Sequence, residues 1–99
     1  MEIMSVSDRR IKKIVETPGI TSVKGLDKQQ TRRIIEMVAA IRVMSNPLQL
    51  LAVPSWRAHE LVPGRPNVWS LRVTPNFRLT FLVEQSNQEV HLLDLEDYH

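Results

Sequence analysis

The stretch Val68-Trp69-Ser70-Leu71-Arg72-Val73-Thr74-Pro75-Asn76-Phe77-Arg78-Leu79-Thr80-Phe81-Leu82-Val83-Glu84 carries the clearest period in the chain. Trp69, Leu71 and Val73 alternate with Ser70, Arg72 and Thr74, and Phe77, Leu79, Phe81 and Val83 alternate with Arg78, Thr80 and Glu84. A period of two sends successive side chains to opposite faces, so this reads as two strands of a half-buried antiparallel sheet. Opposed residues share a face, which predicts Val73, Leu71 and Trp69 across from Leu79, Phe81 and Val83. That pairing makes Pro75-Asn76-Phe77 an odd-numbered connection, rules out a simple two-residue turn at Pro75-Asn76, and puts Arg72 and Arg78 together on the polar face. Val90 to Leu95 supply a third strand, with Leu93 and Leu95 in one alternating set and Leu92 in the other. It delivers Asp97, Tyr98 and His99 to the end of the sheet.

Upstream the period becomes helical. Ser7 or Asp8 can cap a short helix in which Ile11, Ile14 and Val15 fall on one side before Thr17-Pro18-Gly19 ends it. Asp27 with Gln30 three positions on has the pattern of a capping box, and Ile34, Val38 and Ile41 then recur at helical spacing until Asn46-Pro47 stops the helix. Ile3 to Val6 offers a short first strand. Two helices followed by a sheet make an α+β domain over residues 1–99.

Composition narrows the class. Ninety-nine residues suffice for one modest core and no second one. There is no cysteine, so disulfide scaffolds and thiolate metal sites are excluded, as suits a reducing compartment. Apolar runs fall far short of the roughly 20 residues of a membrane helix. The charged N-terminus lacks the apolar core of a secretory signal, so the expected location is the cytoplasm. Net charge is +2, but unevenly spread. Residues 1–45 hold nine Lys or Arg against five acids, and the remainder four against six. A basic half fits polyanion binding by one face, or simply soluble helices.

His59-Glu60-Leu61, Val68 to Val73, Asn76 to Phe81 and the closing Glu96-Asp97-Tyr98-His99 together resemble the HigB toxins of the RelE superfamily. Those proteins show a His ahead of an aromatic-Ser-Ile-Arg-Val strand, then an Asn-Trp-Arg strand, and end in Asp-Tyr-His. Here His59 lies ten positions before Trp69. The resemblance covers residues 59–99 closely and the region from Val15 through the Asp27 helix more loosely. It implies a RelE-like microbial RNase fold, with two N-terminal helices packed on a small, mainly antiparallel sheet and the C-terminus at the active site. It further implies the toxin of a type II toxin–antitoxin system: a ribosome-dependent mRNA endonuclease that inhibits translation and growth. The implied partners are ribosome, mRNA and a HigA-type helix-turn-helix antitoxin, with operator DNA touched only through that antitoxin. No cofactor, metal or membrane is implied.

Metal-free RNA cleavage needs a base for the 2′-hydroxyl proton, an acid for the 5′-leaving oxygen and cations around the phosphate. Imidazole suits both proton tasks, which makes His59 and His99 candidates for base and acid in either order. Arg78 is the phosphate clamp, since guanidinium binds phosphate in a bidentate way. Asp97 orients an imidazole or acts on the 2′-hydroxyl, and Tyr98 stacks on a base or donates a proton. Arg57, Arg65, Arg72 and Asn76 are candidates for RNA contacts, and Trp56 is a further aromatic able to stack. Taken singly, His59 reads as a strand-edge histidine, Arg72 and Arg78 as solvent-face residues, Trp69 as core and His91 as structural. Their joint order is what carries the catalytic reading.

One departure stands out. Many relatives carry a Lys-Gly-Asp-Arg-like loop after the His, whereas this chain has Val62-Pro63-Gly64-Arg65-Pro66-Asn67. The lysine expected at Val62 is missing; Arg57, Arg65 or Arg72 can supply charge in its place, and without them the expectation is reduced activity or an altered codon preference. Two other classes compete: a gyrase inhibitor that acts by binding, as in ParE-like relatives, and a non-catalytic RNA-binding or regulatory module.

Overall fold

The computed structural model describes residues 1–97; Tyr98 and His99, and the roles expected of them, lie outside the described residues. Helix α1 (Arg9–Glu16) starts at Asp8, whose carboxylate accepts from the Arg10 and Ile11 backbone N–H groups at 2.8 and 3.1 Å. Burial pushes the Asp8 carboxyl up, but Arg10's hydrogen bond and charge, with the capped backbone, outweigh it and hold it below the usual value. Helix α2 (Lys28–Val43) opens with the expected capping box, Asp27 and Gln30 each bonding the other's backbone N–H. Ile11 and Ile14 of α1 and Ile34, Met37, Val38 and Ile41 of α2 are buried. Two 3-10 helices, Pro47–Ala52 and Pro54–Trp56, then lead into the sheet.

The sheet has five strands in the order β1-β5-β4-β3-β2. β2 (His59–Leu61), β3 (Arg65–Thr74), β4 (Phe77–Glu84) and β5 (Glu89–Asp97) pair antiparallel, while β1 (Glu2–Ile3) runs parallel to β5. The first strand is therefore shorter than the Ile3–Val6 reading, and Val6 contributes only a separate bridge to Leu93. Leu92 explains the break. It sits at φ 55 as an extra residue in β5, its N–H turned to Ser5 Oγ, so it stands exposed while Val90 and Leu93 on either side are both buried.

The β3–β4 register corrects the sequence reading. The turn is the two-residue Pro75-Asn76, with Thr74 opposite Phe77. An even turn alone would have set apolar residues of one strand opposite polar residues of the other, Val73 against Arg78 and Arg72 against Leu79. Val73 restores the parity as an extra β3 residue between Arg72 and Thr74, so Leu71 faces Leu79 and Trp69 faces Phe81, two residues from the expected pairing. Arg72 and Arg78 still share the polar face, now directly opposed.

The core lies between the helices and one face of the sheet, where Trp69, Leu71, Val73, Leu79, Phe81, Val83, Leu93 and Leu95 meet the apolar sides of α1 and α2. Fully burying each such side chain stabilises the fold by about 1.5–3 kcal/mol. Among the described residues no helix covers the opposite sheet face, which carries the polar alternate residues. Among the described residues, no helix is long and apolar enough to cross a membrane.

Candidate active site

Register assembles the open face in rows. His59, Ser70, Thr80 and Asp94 lie side by side on β2, β3, β4 and β5, and Arg72, Arg78 and Glu96 form the next row. Neighbouring strands are about 4.8 Å apart, so His59 is one strand from Ser70. Arg78 Nη1 reaches back to Ser70 Oγ with a long contact of 3.5 Å. Its guanidinium therefore leaves its own row for the one that holds His59. Arg78 thus meets a buried hydroxyl whose neighbour on the next strand is His59.

His59 is set by the turn before it. Arg57 ends the second 3-10 helix in the left-handed region, φ 47, which brings its carbonyl to 2.9 Å from His59 Nδ1. A carbonyl only accepts, so Nδ1 carries the proton and the neutral ring keeps its lone pair on Nε2. The ring is exposed, with that nitrogen equipped to take a proton. Arg57 thus has a backbone role in addition to the charge on its exposed side chain.

Arg72 and Arg78 oppose each other directly in backbone register, so two cations share one end of the face and repel, a repulsion eased where the Arg78 guanidinium turns toward Ser70 and by Glu96 on its other side. Both are half-buried, which limits how far they can turn away into water. An anion placed between them relieves that repulsion. A phosphodiester is such an anion, and guanidinium is well matched to it.

The residues 62–67 arm, which contains the Val62 departure, folds over this face. β2 and β3 shift register after Glu60, Asn67 takes φ 66, and Glu60 Oε2 fixes the Asn67 N–H at 2.8 Å. Arg65 is thereby carried to β5, where it makes a bidentate pair with Glu96 at 3.1 and 3.2 Å. Thr80 Oγ1 also donates to Glu96. Burial pushes the Glu96 carboxyl up, but the Thr80 and Arg65 hydrogen bonds and the Arg65 charge outweigh it and keep the pKa below the ordinary value. Glu96 thus meets Thr80 and Arg78 meets Ser70, two buried hydroxyl residues on this face. The pair engages two of the five N–H groups of Arg65. The importance of Glu96 was not visible in sequence, where it was one more acid before Asp97; its only signal was its place in the polar alternation.

Other predicted residues fall elsewhere. Asn76 is exposed in the turn at the sheet end, beside the Phe77–Asp97 pair. Asp97 shares a face with Phe77 and Leu95, opposite to the face of His59 and Arg78. The structure therefore brings His59, Arg72 and Arg78 together with Ser70, Thr80 and Glu96, and leaves Asn76 and Asp97 at the rim. His91 Nε2 lies 3.1 Å from Glu89 Oε1 at the far end of the face.

No protein-family model matches the chain. It is 31% identical over 87 residues to the endoribonuclease HigB of Proteus vulgaris, across 88% of this chain and 89% of that protein. The chain belongs to the HigB family. In fold this HigB-family chain is similar to a solved YoeB/ParE toxin from Agrobacterium tumefaciens, with a TM-score of 0.59 over 100% of this chain and 99% of that one. At 15% identity the likeness is one of fold alone. It shows that this HigB-family sheet and its two helices share the fold of that protein.

Proposed function

We propose that this chain is the toxin of a type II toxin–antitoxin pair and an endoribonuclease that cuts mRNA on the ribosome, in the cytoplasm. The observation that carries the reading is that His59 is registered against Ser70, to which Arg78 Nη1 reaches, on a face where a second arginine opposes Arg78 in register. In the proposed reaction His59 Nε2 takes the 2′-hydroxyl proton and the 2′-oxygen attacks phosphorus. The bond from phosphorus to the 5′-oxygen breaks, leaving a 2′,3′-cyclic phosphate and a protonated 5′-hydroxyl. Arg78 and Arg72 balance the charge that builds on the phosphoryl oxygens. In this reading His99 is the acid for the leaving oxygen, Tyr98 stacks on a base or donates a proton, and Asp97 orients an imidazole or acts on the 2′-hydroxyl; the membership of these three residues in the site rests on the family resemblance. A HigA-type antitoxin holds the toxin in check.

The test is to incubate wild-type, His59→Ala and Tyr98-His99-deleted protein with mRNA, with and without programmed ribosomes, and map cut ends by primer extension. Cuts appear only with ribosomes and fall by about 10²- to 10⁴-fold when either proton-transfer group is lost. Circular dichroism and antitoxin binding stay unchanged in both variants. Undiminished cleavage by the truncated protein overturns the site. Cleavage of free mRNA overturns ribosome dependence, and no cleavage at all moves the reading to a toxin that acts by binding.

A further inference from the structure

The catalytic face does not stop at Arg72. β2 begins at His59, opposite Ser70, so beyond that point no strand flanks the outer edge of β3 among the described residues. The 3-10 turn Pro54–Trp56 and the first half of α2 close in there instead. Between them runs a groove of about 550 Å³, lined by Gln29, Arg33, Glu36, Ser55, Trp56 and Arg72, with Pro75 at the turn. That volume falls within the roughly 300–1,000 Å³ of small-ligand sites. We propose that this groove is a second nucleotide subsite, taking a nucleotide of single-stranded RNA that flanks the cleaved phosphate. The inference rests on the ribonuclease reading.

Each part of the groove has a matching function. Trp56 packs against the core and is half-buried, so the indole is fixed in place while part of it lines the groove. A fixed aromatic surface is what a splayed-out base stacks on, whatever its identity. Arg33 donates from Nη1 to the Val73 carbonyl at 2.7 Å, which holds the guanidinium at the groove with its remaining N–H groups for a ligand. Among the described residues neither Arg33 nor Arg72 forms a salt bridge. A backbone phosphate between these two cations follows. Glu36 accepts hydrogen bonds and repels phosphate, so it fixes polarity: the base amino groups face Glu36 and the phosphate faces the arginines.

Arg72 belongs to both places. It opposes Arg78 on the open face and also lines the groove, so one strand of RNA laid across Arg72 passes from the scissile phosphate to Trp56 without crossing an apolar wall. Charge and stacking thus continue along one path around the edge of β3.

The chain has two tryptophans, and Trp69 is buried at 6% exposure. Indole N–H signals in a nitrogen-15 correlation spectrum therefore separate the groove from the core. The experiment titrates the full chain with a 2′-O-methyl hexanucleotide, which cannot be cleaved, up to millimolar concentration. The Trp56 indole signal shifts saturably and that of Trp69 does not. Trp56→Phe assigns the signal; Trp56→Leu and Arg33→Gln, each checked for fold by circular dichroism, weaken binding on the order of tenfold by anisotropy of the labelled RNA. Shifts at His59 and Arg78 with a still Trp56 overturn the groove and leave the ribonuclease reading standing. No shift anywhere overturns the subsite in the free protein. Equal shifts with poly-glutamate also overturn it, because the groove then takes any anion.

Discussion

Phe81 and Thr80 are neighbours on β4, one on each face of the sheet, and they are about equally buried, at 1% and 4% exposure. The means of burial differ. Phe81 is covered by apolar side chains from the helices and sheet, an arrangement that stabilises in proportion to the area removed from water. Thr80 is covered by long polar groups, chiefly Glu96 drawn over it and tied to Arg65. A core of the first kind holds the fold together. A covering of the second kind is held by polar contacts, and it sits beside the directly opposed Arg72 and Arg78. The helix-side face holds the fold together, and the open face carries His59, Arg72 and Arg78.

Breaking the helix-side face has the largest effect. Phe81→Ala should lose about 3–5 kcal/mol of folding stability in urea denaturation, through lost burial plus the cavity left behind. A loss under 1 kcal/mol would mean that this face is not the one that holds the fold. Arg72→Gln should act with the opposite sign, raising the stability of the RNA-free protein by a few tenths to about 1 kcal/mol as the like-charge pair is relieved. The same substitution weakens RNA binding, and both changes are read on one preparation by denaturation and anisotropy. A destabilised variant would make Arg72 a structural residue.

The smallest effect concerns the polar lid. Because the folded state lowers the pKa of Glu96, the lid's contribution is fully present above the ordinary glutamate value of about 4.5 and is lost as pH falls below it through the lowered value. The Arg65 and Glu96 side chains are 49% and 36% exposed, so solvent screening limits this to a few tenths of a kcal/mol. The stability difference between wild type and Glu96→Gln should therefore be flat from neutral pH to about pH 5 and shrink below that. A difference that grows on acidification would reverse the assignment.

Much of the fold was legible because its signals are local. Asp8 and Asp27 cap helices through atoms two to four residues away, and the alternation at Trp69, Leu71, Leu79 and Phe81 marks the buried face within single strands. β2 was not legible, since three residues carry no period and its pairing comes from the edge that β3 presents. The extra residues Val73 and Leu92 were equally hidden. Both are apolar residues in apolar strands, and only the partner strand shows that each is one too many. For the site, sharing of a face by Arg72 and Arg78 could be read from parity, but the approach of Arg78 to Ser70 and the capture of Arg65 by Glu96 could not.

By itself the sequence determined the α+β class, the helix caps, the buried face and the family pattern of His59, the two arginines and the closing Glu96-Asp97-Tyr98-His99. All of these depend on residue type and short spacing, which the chain states directly. Only the tertiary structure decided that His59 stands in the row of Ser70, that Arg65 is already occupied, and that Trp56 and Arg33 meet at the edge of β3. Those relations join residues 11, 31 and 23 positions apart along the chain. They depend on strand register, which a single extra residue resets, so no local pattern can encode them.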